Sequence, residues 1–325
     1  MTDPFVRADV HAFLDMIAAM PQPEWPPQPA VYRAQYSAMK DLVDLPVGEL
    51  AEMRDLEIPG PAGALRARLF DLRAGREPGP AVLFFHGGGF VIGDIETHAS
   101  IAAEMERQLD LPVISVDYRL SPEHKWPAAS DDCEAAARWV ASNPAELGRR
   151  VTALALAGDS AGGQLAAVAA IDLRDRPAAV PVIAQLLIYP AADLGTDYPS
   201  LKQFAEGHIL TEKGMAWFAE CFGADTGHPR CSPMRAPSLA GLPPAVVVTA
   251  SLDPIRDQGR AYAGALINAG VPVIFREAQG NVHGFITLRN GIPSSQGDVA
   301  GMLAAFKDLL VEAEGNRVMA QAAAA

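Results

Sequence analysis

The sequence predicts an α/β protein: a mostly parallel central sheet with helices on both faces. Three observations predict it. Short apolar runs alternate with stretches of helical period along most of the chain, the pattern of strands joined by crossover helices. The runs are short and largely apolar, as expected of parallel strands covered by helices on both faces. The third is bulk composition: 325 residues, half of them hydrophobic, suffice for a large core, and 28 Gly with 27 Pro are scattered instead of forming a low-complexity tract.

Residues 5–20 carry Phe5, Val6, Phe13, Ile17 and Met20 at loosely helical spacing, and the proline-rich stretch PQPEWPPQP at 21–29 stops any helix there. Over 54–71 the pattern reads strand, turn (PGPAG), strand, which is a hairpin. The alternation then begins: AVLFF (81–85) and a helix near 97–110, PVISVDY (112–118) and a helix near 130–141, TALALA (152–157) and a helix from 162. It continues with VIAQLLIY (182–189), AVVVTA (245–250), a helix near 257–269, VPVIFRE (271–277) and a closing helix near 297–314. Between strands 182–189 and 245–250 the rhythm breaks for more than fifty residues, including a helix expected near 211–222. A connection that long is seldom structureless, so an inserted lid or cap is expected. The chain divides accordingly into N-terminal cap helices (1–50), a first part of the core (51–192), a cap insertion (193–235) and a second part of the core (236–325).

The formal charge of −13 and the lack of a Lys/Arg cluster exclude nucleic acid as an expected partner. Three cysteines, Cys133, Cys221 and Cys231, form no even disulfide framework, which fits a reducing compartment. Cys221, His228 and Cys231 match no zinc spacing, so no metal is expected. The first twenty residues interrupt their apolar positions with Asp3, Asp9 and Asp15, unlike a signal peptide, and no run of about 18 apolar residues occurs. A cytoplasmic protein without a membrane span is expected.

In open sheets of this kind, functional residues gather at the carboxyl ends of strands. The first such end reads His86-Gly87-Gly88-Gly89-Phe90. A glycine triplet allows unusual bends and close approach of a ligand to the backbone. Phosphate templates fail here, because no Gly-Lys pair occurs anywhere and a dinucleotide fingerprint would need glycine at Ile92. A later strand end reads Gly158-Asp159-Ser160-Ala161-Gly162, the G-x-S-x-G of a nucleophile elbow in its strand-to-helix context. A serine hydroxyl needs a base, and the base needs an orienting acid. His283 follows the last strand and is the candidate base; His86 is read as bracing the glycine loop, and the other five histidines as surface or structural. Asp253 follows strand 245–250 and is preferred as the acid over Asp257, which could instead cap the next helix. The order Ser160, Asp253, His283 is that of the α/β-hydrolases. The glycines then have a use: an oxyanion formed by attack of Ser160 would be met by the N–H groups of Gly88, Gly89 and Ala161, each donor worth about 3–4 kcal/mol of barrier. With a histidine base, activity is expected to rise from acid to neutral pH.

Together HGGGF, GDSAGG, SLDPIRDQG and NVHGF resemble the hormone-sensitive-lipase-like family of microbial esterases in the α/β-hydrolase superfamily. The likeness extends to YRLSPEHKWPAA (118–129), GLPPAVVVTASLDP (241–254) and YAGALINAGVPV (262–273), so it covers about 55–290. Two departures are small: NVHGF lacks a bulkier residue before the histidine, and Gln258 replaces a common acidic residue. The resemblance implies an α/β-hydrolase core under a cap, catalytic roles for Ser160, Asp253 and His283, and oxyanion donors at Gly88, Gly89 and Ala161. It implies hydrolysis of short- to medium-chain carboxylic esters with no cofactor; a lipase, amidase or deacetylase on the same triad stays open, as does a non-catalytic ligand receptor. The expected partner is a small-molecule ester, and a homodimer is admitted. Phe204, Ile209, Leu210 and Trp217 in the insertion are candidates either for an acyl pocket or for the insertion's own small core.

Overall fold

The computed structural model describes residues 4–20 and 24–324. Its centre is an eight-stranded sheet. The chain enters through two helices, α1 (Ala8–Ala19) and α2 (Pro29–Val43). Proline at the first position of α2 suits a site whose N–H would be unpaired anyway. The expected helix stop at 21–29 falls partly, at 21–23, outside the described residues.

The hairpin is β1 (Glu52–Gly60) and β2 (Gly63–Asp71), joined by two residues and paired antiparallel from Glu52 opposite Asp71 to Gly60 opposite Gly63. Then come β3 (Gly79–Phe85), α3 (Ala99–Leu109), β4 (Val113–Val116), α4 (Ala128–Ala141), β5 (Val151–Asp159), α5 (Ala161–Asp175) and β6 (Val182–Ile188). The insertion holds a short α6 (Pro199–Gln203) and α7 (Glu212–Phe222). Thr211 caps α7 by accepting the N–H of Gly214, and left-handed Gly223 ends it. Last come β7 (Ala245–Leu252), α8 (Arg256–Asn268), β8 (Val273–Val282) and α9 (Ser295–Ala324). The closing helix is longer than its sequence pattern predicts, because its apolar stripe ends near Leu310 while the helix itself continues through small and charged residues.

The strand order is β1-β2-β4-β3-β5-β6-β7-β8. The β1/β2 and β2/β4 pairs are antiparallel and all others parallel. Strands β3, β4 and β5 are buried almost end to end, whereas the edge strand β1 alternates exposed and covered positions. Helices α4, α5 and α8 cover one face, closing a core around Leu83, Leu156 and Tyr262. Helices α3 and α9 cover the other, around Phe84, Ala155 and Phe306. The carboxyl ends of β3, β5, β7 and β8 are thereby brought to one rim.

Candidate active site

Ser160 sits between β5 and α5 with φ 54° and ψ −116°, a backbone conformation that a non-glycine residue adopts only under constraint. The constraint is visible. Its N–H donates to Ile188 O at 2.8 Å, and its carbonyl accepts from Gln164 N and Ala191 N. Gly158 and Gly162 on either side admit close backbone packing: a Cβ on Gly158 would lie 2.8 Å from Phe85 O, and one on Gly162 would lie 2.6 Å from His86 O. The helix start thus rests directly on the end of β3.

His283 follows β8 and places Nε2 2.9 Å from Ser160 Oγ. Its Nδ1 is 2.7 Å from Asp253 Oδ2. Asp253 is fully buried, and its other oxygen accepts the N–H of Ile255 at 2.8 Å. The three side chains preferred on sequence are therefore in one hydrogen-bonded relay, drawn from the ends of three different strands. Asp257 is elsewhere; it accepts from Ser200 N and pairs with Arg256 and Arg260. A hydroxyl bonded to an imidazole that is itself held by a buried carboxylate can give up its proton as it attacks a carbonyl.

Gly88 and Gly89 have φ of 120° and 59°, left-handed conformations that favour glycine. The Gly88 carbonyl accepts from Val91 N and Ile92 N. Among the described residues, neither Gly88 nor Gly89 donates its own N–H to a protein atom. Ala161 opens α5, so its N–H has no intrahelical acceptor. His86 braces this loop as expected: Nδ1 lies 2.7 Å from Gly87 O, Tyr118 stacks on the ring, and Tyr118 Oη donates to His86 O. Burial, and then the nearby His98, push the His86 pKa down to about 4, so it is neutral at working pH.

A cavity of about 340 Å³ opens beside Ser160 and His283 and is lined by Gly88, Gly89 and Ala161. Of the four insertion residues, Ile209 and Leu210 line it. Phe204 and Trp217 do not. Phe204 is packed into a separate core with Val10, Phe13 and Leu252, and Trp217 into one with Val91 and Ile92. The cavity wall is completed by Phe218, whose ring covers the place a Gly89 side chain would occupy, and by Tyr32 and Tyr36 of α2. The two tyrosines were not singled out from sequence, although their i, i+4 spacing puts them on one helix face. His98, read from sequence as surface or structural, is buried with Asp159 under the glycine loop. His11, His124 and His228 lie at the surface.

The model of a family described as having the alpha/beta hydrolase fold matches residues 82–287. The chain belongs to the α/β-hydrolase family. Within it, relatives and motifs together place it among the hormone-sensitive-lipase-like esterases. Esterase LipI of Mycobacterium tuberculosis is 41% identical over 263 residues, spanning 79% of this chain and 82% of that protein. An arylesterase of Saccharolobus solfataricus is 35% identical, spanning 82% and 86%. Among solved structures, a hyperthermophilic esterase from the archaeon Pyrobaculum calidifontis superposes with a TM-score of 0.87 at 37% identity, covering 95% of this chain and 100% of that one. A thermostable esterase from Pseudomonas putida gives 0.88 at 32%, covering 96% and 99%.

Proposed function

We propose that this chain is a serine carboxylesterase that hydrolyses short- to medium-chain carboxylic esters through an acyl-enzyme on Ser160. The observation that carries this reading is the relay of Ser160 Oγ to His283 Nε2 and of His283 Nδ1 to Asp253, opening onto an apolar cavity. His283 accepts the proton as Oγ attacks, then returns it to the departing alcohol. Asp253 holds the imidazole in place and stabilises the imidazolium. The developing alkoxide is received by the N–H groups of Gly88, Gly89 and Ala161. Water repeats the cycle on the acyl-enzyme. Relatives named esterase, carboxylesterase and arylesterase support this over an amidase or deacetylase, and contact among all three relay residues disfavours a non-catalytic receptor.

In this reading residues 1–50 and 193–235 form a cap over the cavity, supported by Tyr32 and Tyr36 from the first segment and Ile209, Leu210 and Phe218 from the second. The partner is a small-molecule ester. No helix among the described residues is long and apolar enough to cross a membrane. Three buried free cysteines support a cytoplasmic location, which fractionation of producing cells checks. A homodimer is supported by Ile274 and Phe275, exposed on the edge strand β8, and sedimentation velocity tests it.

The test is Ser160→Ala together with a fluorophosphonate probe. The parent should be labelled at Ser160 and turn over aryl esters, with a preference within a chain-length series for short to medium acyl groups; the variant should stay folded, inert and unlabelled. Turnover by folded Ser160→Ala at the parental rate would place the nucleophile elsewhere.

A further inference from the structure

The residue just before Ser160 poses an electrostatic problem. Asp159 is buried, its Oδ1 accepts the N–H of Gly87 at 2.7 Å, and Tyr189 Oη approaches Oδ2 at 3.4 Å. That bond anchors the loop carrying Gly88 and Gly89. Yet a bare carboxylate beneath a loop meant to receive an alkoxide would oppose the reaction, since like charges repel strongly in a water-excluded site.

Among the described residues, no lysine or arginine pairs with Asp159; the one ion-pair partner is His98, fully buried, with Nε2 3.5 Å from Asp159 Oδ1. The surroundings of the other ring nitrogen accommodate a doubly protonated ring. His98 Nδ1 is 3.0 Å from Thr97 Oγ1. The Thr97 hydroxyl directs its hydrogen to Asp94 O at 2.9 Å, while Asp94 N donates to it. With its hydrogen on Asp94 O, the hydroxyl oxygen can accept from His98 Nδ1, which lets both nitrogens of the buried ring donate. The charges facing the ring agree. Burial pushes the His98 pKa down, but Asp159, then Asp94 and Asp44, more than offset it and hold it above the ordinary value. His86, 5.5 Å away, stays neutral, the adjacent Phe84 ring carries no charge, and Asp44 is itself paired with Arg289.

We propose that His98, as a buried imidazolium, is a positioning residue for ester hydrolysis: it neutralises Asp159, so that the carboxylate can anchor the Gly87–Gly89 loop without repelling the oxyanion. It touches no reacting atom. This inference rests on the acyl-transfer reading above.

A double-mutant cycle tests it, with an aryl ester for turnover and a fluorophosphonate for the reactivity of Ser160. Asp159→Asn keeps an oxygen for the Gly87 N–H and removes the charge, and should lower kcat less than tenfold, well short of the ~10²-fold typical of losing an oxyanion donor. His98→Ala leaves the carboxylate uncompensated and should lower kcat by about 10²-fold with KM within about threefold. The combination should recover most of that loss and fall near Asp159→Asn alone. Equal cost of His98→Ala in both backgrounds would reduce His98 to a packing role and overturn the proposal, as would a cost of only a few-fold in the parent. If His98→Ala does not fold, His98→Gln, which keeps a donor but carries no charge, completes the same cycle. Failure of the acyl-transfer reading is distinguishable, because the parent itself would then go unlabelled at Ser160.

Discussion

Replacing Gly162 with alanine isolates what the elbow demands of the backbone. The new Cβ would lie 2.6 Å from both the carbonyl oxygen of His86 and the carbonyl carbon of Phe85, and closer still to Phe85 O. These are backbone atoms of β3 and its end, so no side-chain rotation relieves the contact. To clear Phe85 O the start of α5 must retreat from β3 by about an ångström or more, a displacement that typically costs on the order of 10²-fold in rate when it separates reacting groups from their donors. Ala161 N and Ser160 Oγ move with α5, while Gly88 and Gly89 stay with β3. Overpacking of this kind also costs about 1–3 kcal/mol of stability. The assay is kcat/KM on an aryl ester beside a thermal unfolding curve. A folded Gly162→Ala enzyme with parental kcat would refute the claim that close contact between α5 and β3 sets the geometry.

Asp44→Ala should cost about 3–5 kcal/mol of stability, because Arg289, 2% exposed and bound bidentately to Asp44, is left charged and buried; differential scanning calorimetry reads the loss. Phe204→Ala should lower the melting temperature without altering acyl-chain preference, since it empties a core away from the cavity, whereas Leu210→Trp should shift preference toward shorter acyl groups at little cost in stability. The His98–Asp159 pair gives a pH signature. Burial raises the Asp159 pKa but His98 and the Gly87 N–H outweigh it, so that contribution is present above the ordinary carboxyl value near about 4 and is lost as pH falls through the depressed one. The His98 contribution is complete below the ordinary value near about 6.5 and is lost as pH rises through the elevated one. Thermal midpoints should therefore gain most from the pair between those values, and Asp159→Asn should flatten both flanks; an unchanged profile in that variant would contradict the pairing.

Much of this site is legible in the sequence because its parts sit where chain direction alone puts them. Ser160, Asp253 and His283 each follow an apolar run that ends abruptly, and parallel strands deliver such ends to one rim whatever their separation along the chain. The glycines at 88, 158 and 162 mark backbone contacts that no side chain could occupy, and Gly89 leaves room for the Phe218 ring. The insertion is less legible. Phe204 and Leu210 are both apolar and six positions apart, but one packs beneath α1 and the other faces the cavity, a distinction set by the path of the turn between α6 and α7 and not by local periodicity. His98 escapes notice for a related reason. It precedes α3 instead of following a strand, and its partner becomes visible only when β5 is laid beside β3.

The attachment of α1 bears on when activity can first arise. Arg7 grips Asp298 with two hydrogen bonds and also holds Gln279 O, while Asn281, two residues before His283, donates to the same carboxylate. The helix that begins at Ala8 thus docks, through Arg7, on residues 272 and 291 positions further along the chain. Until those residues are made, α1 has no seat and the imidazole of the relay does not exist, so a chain still under synthesis holds Ser160 without its base.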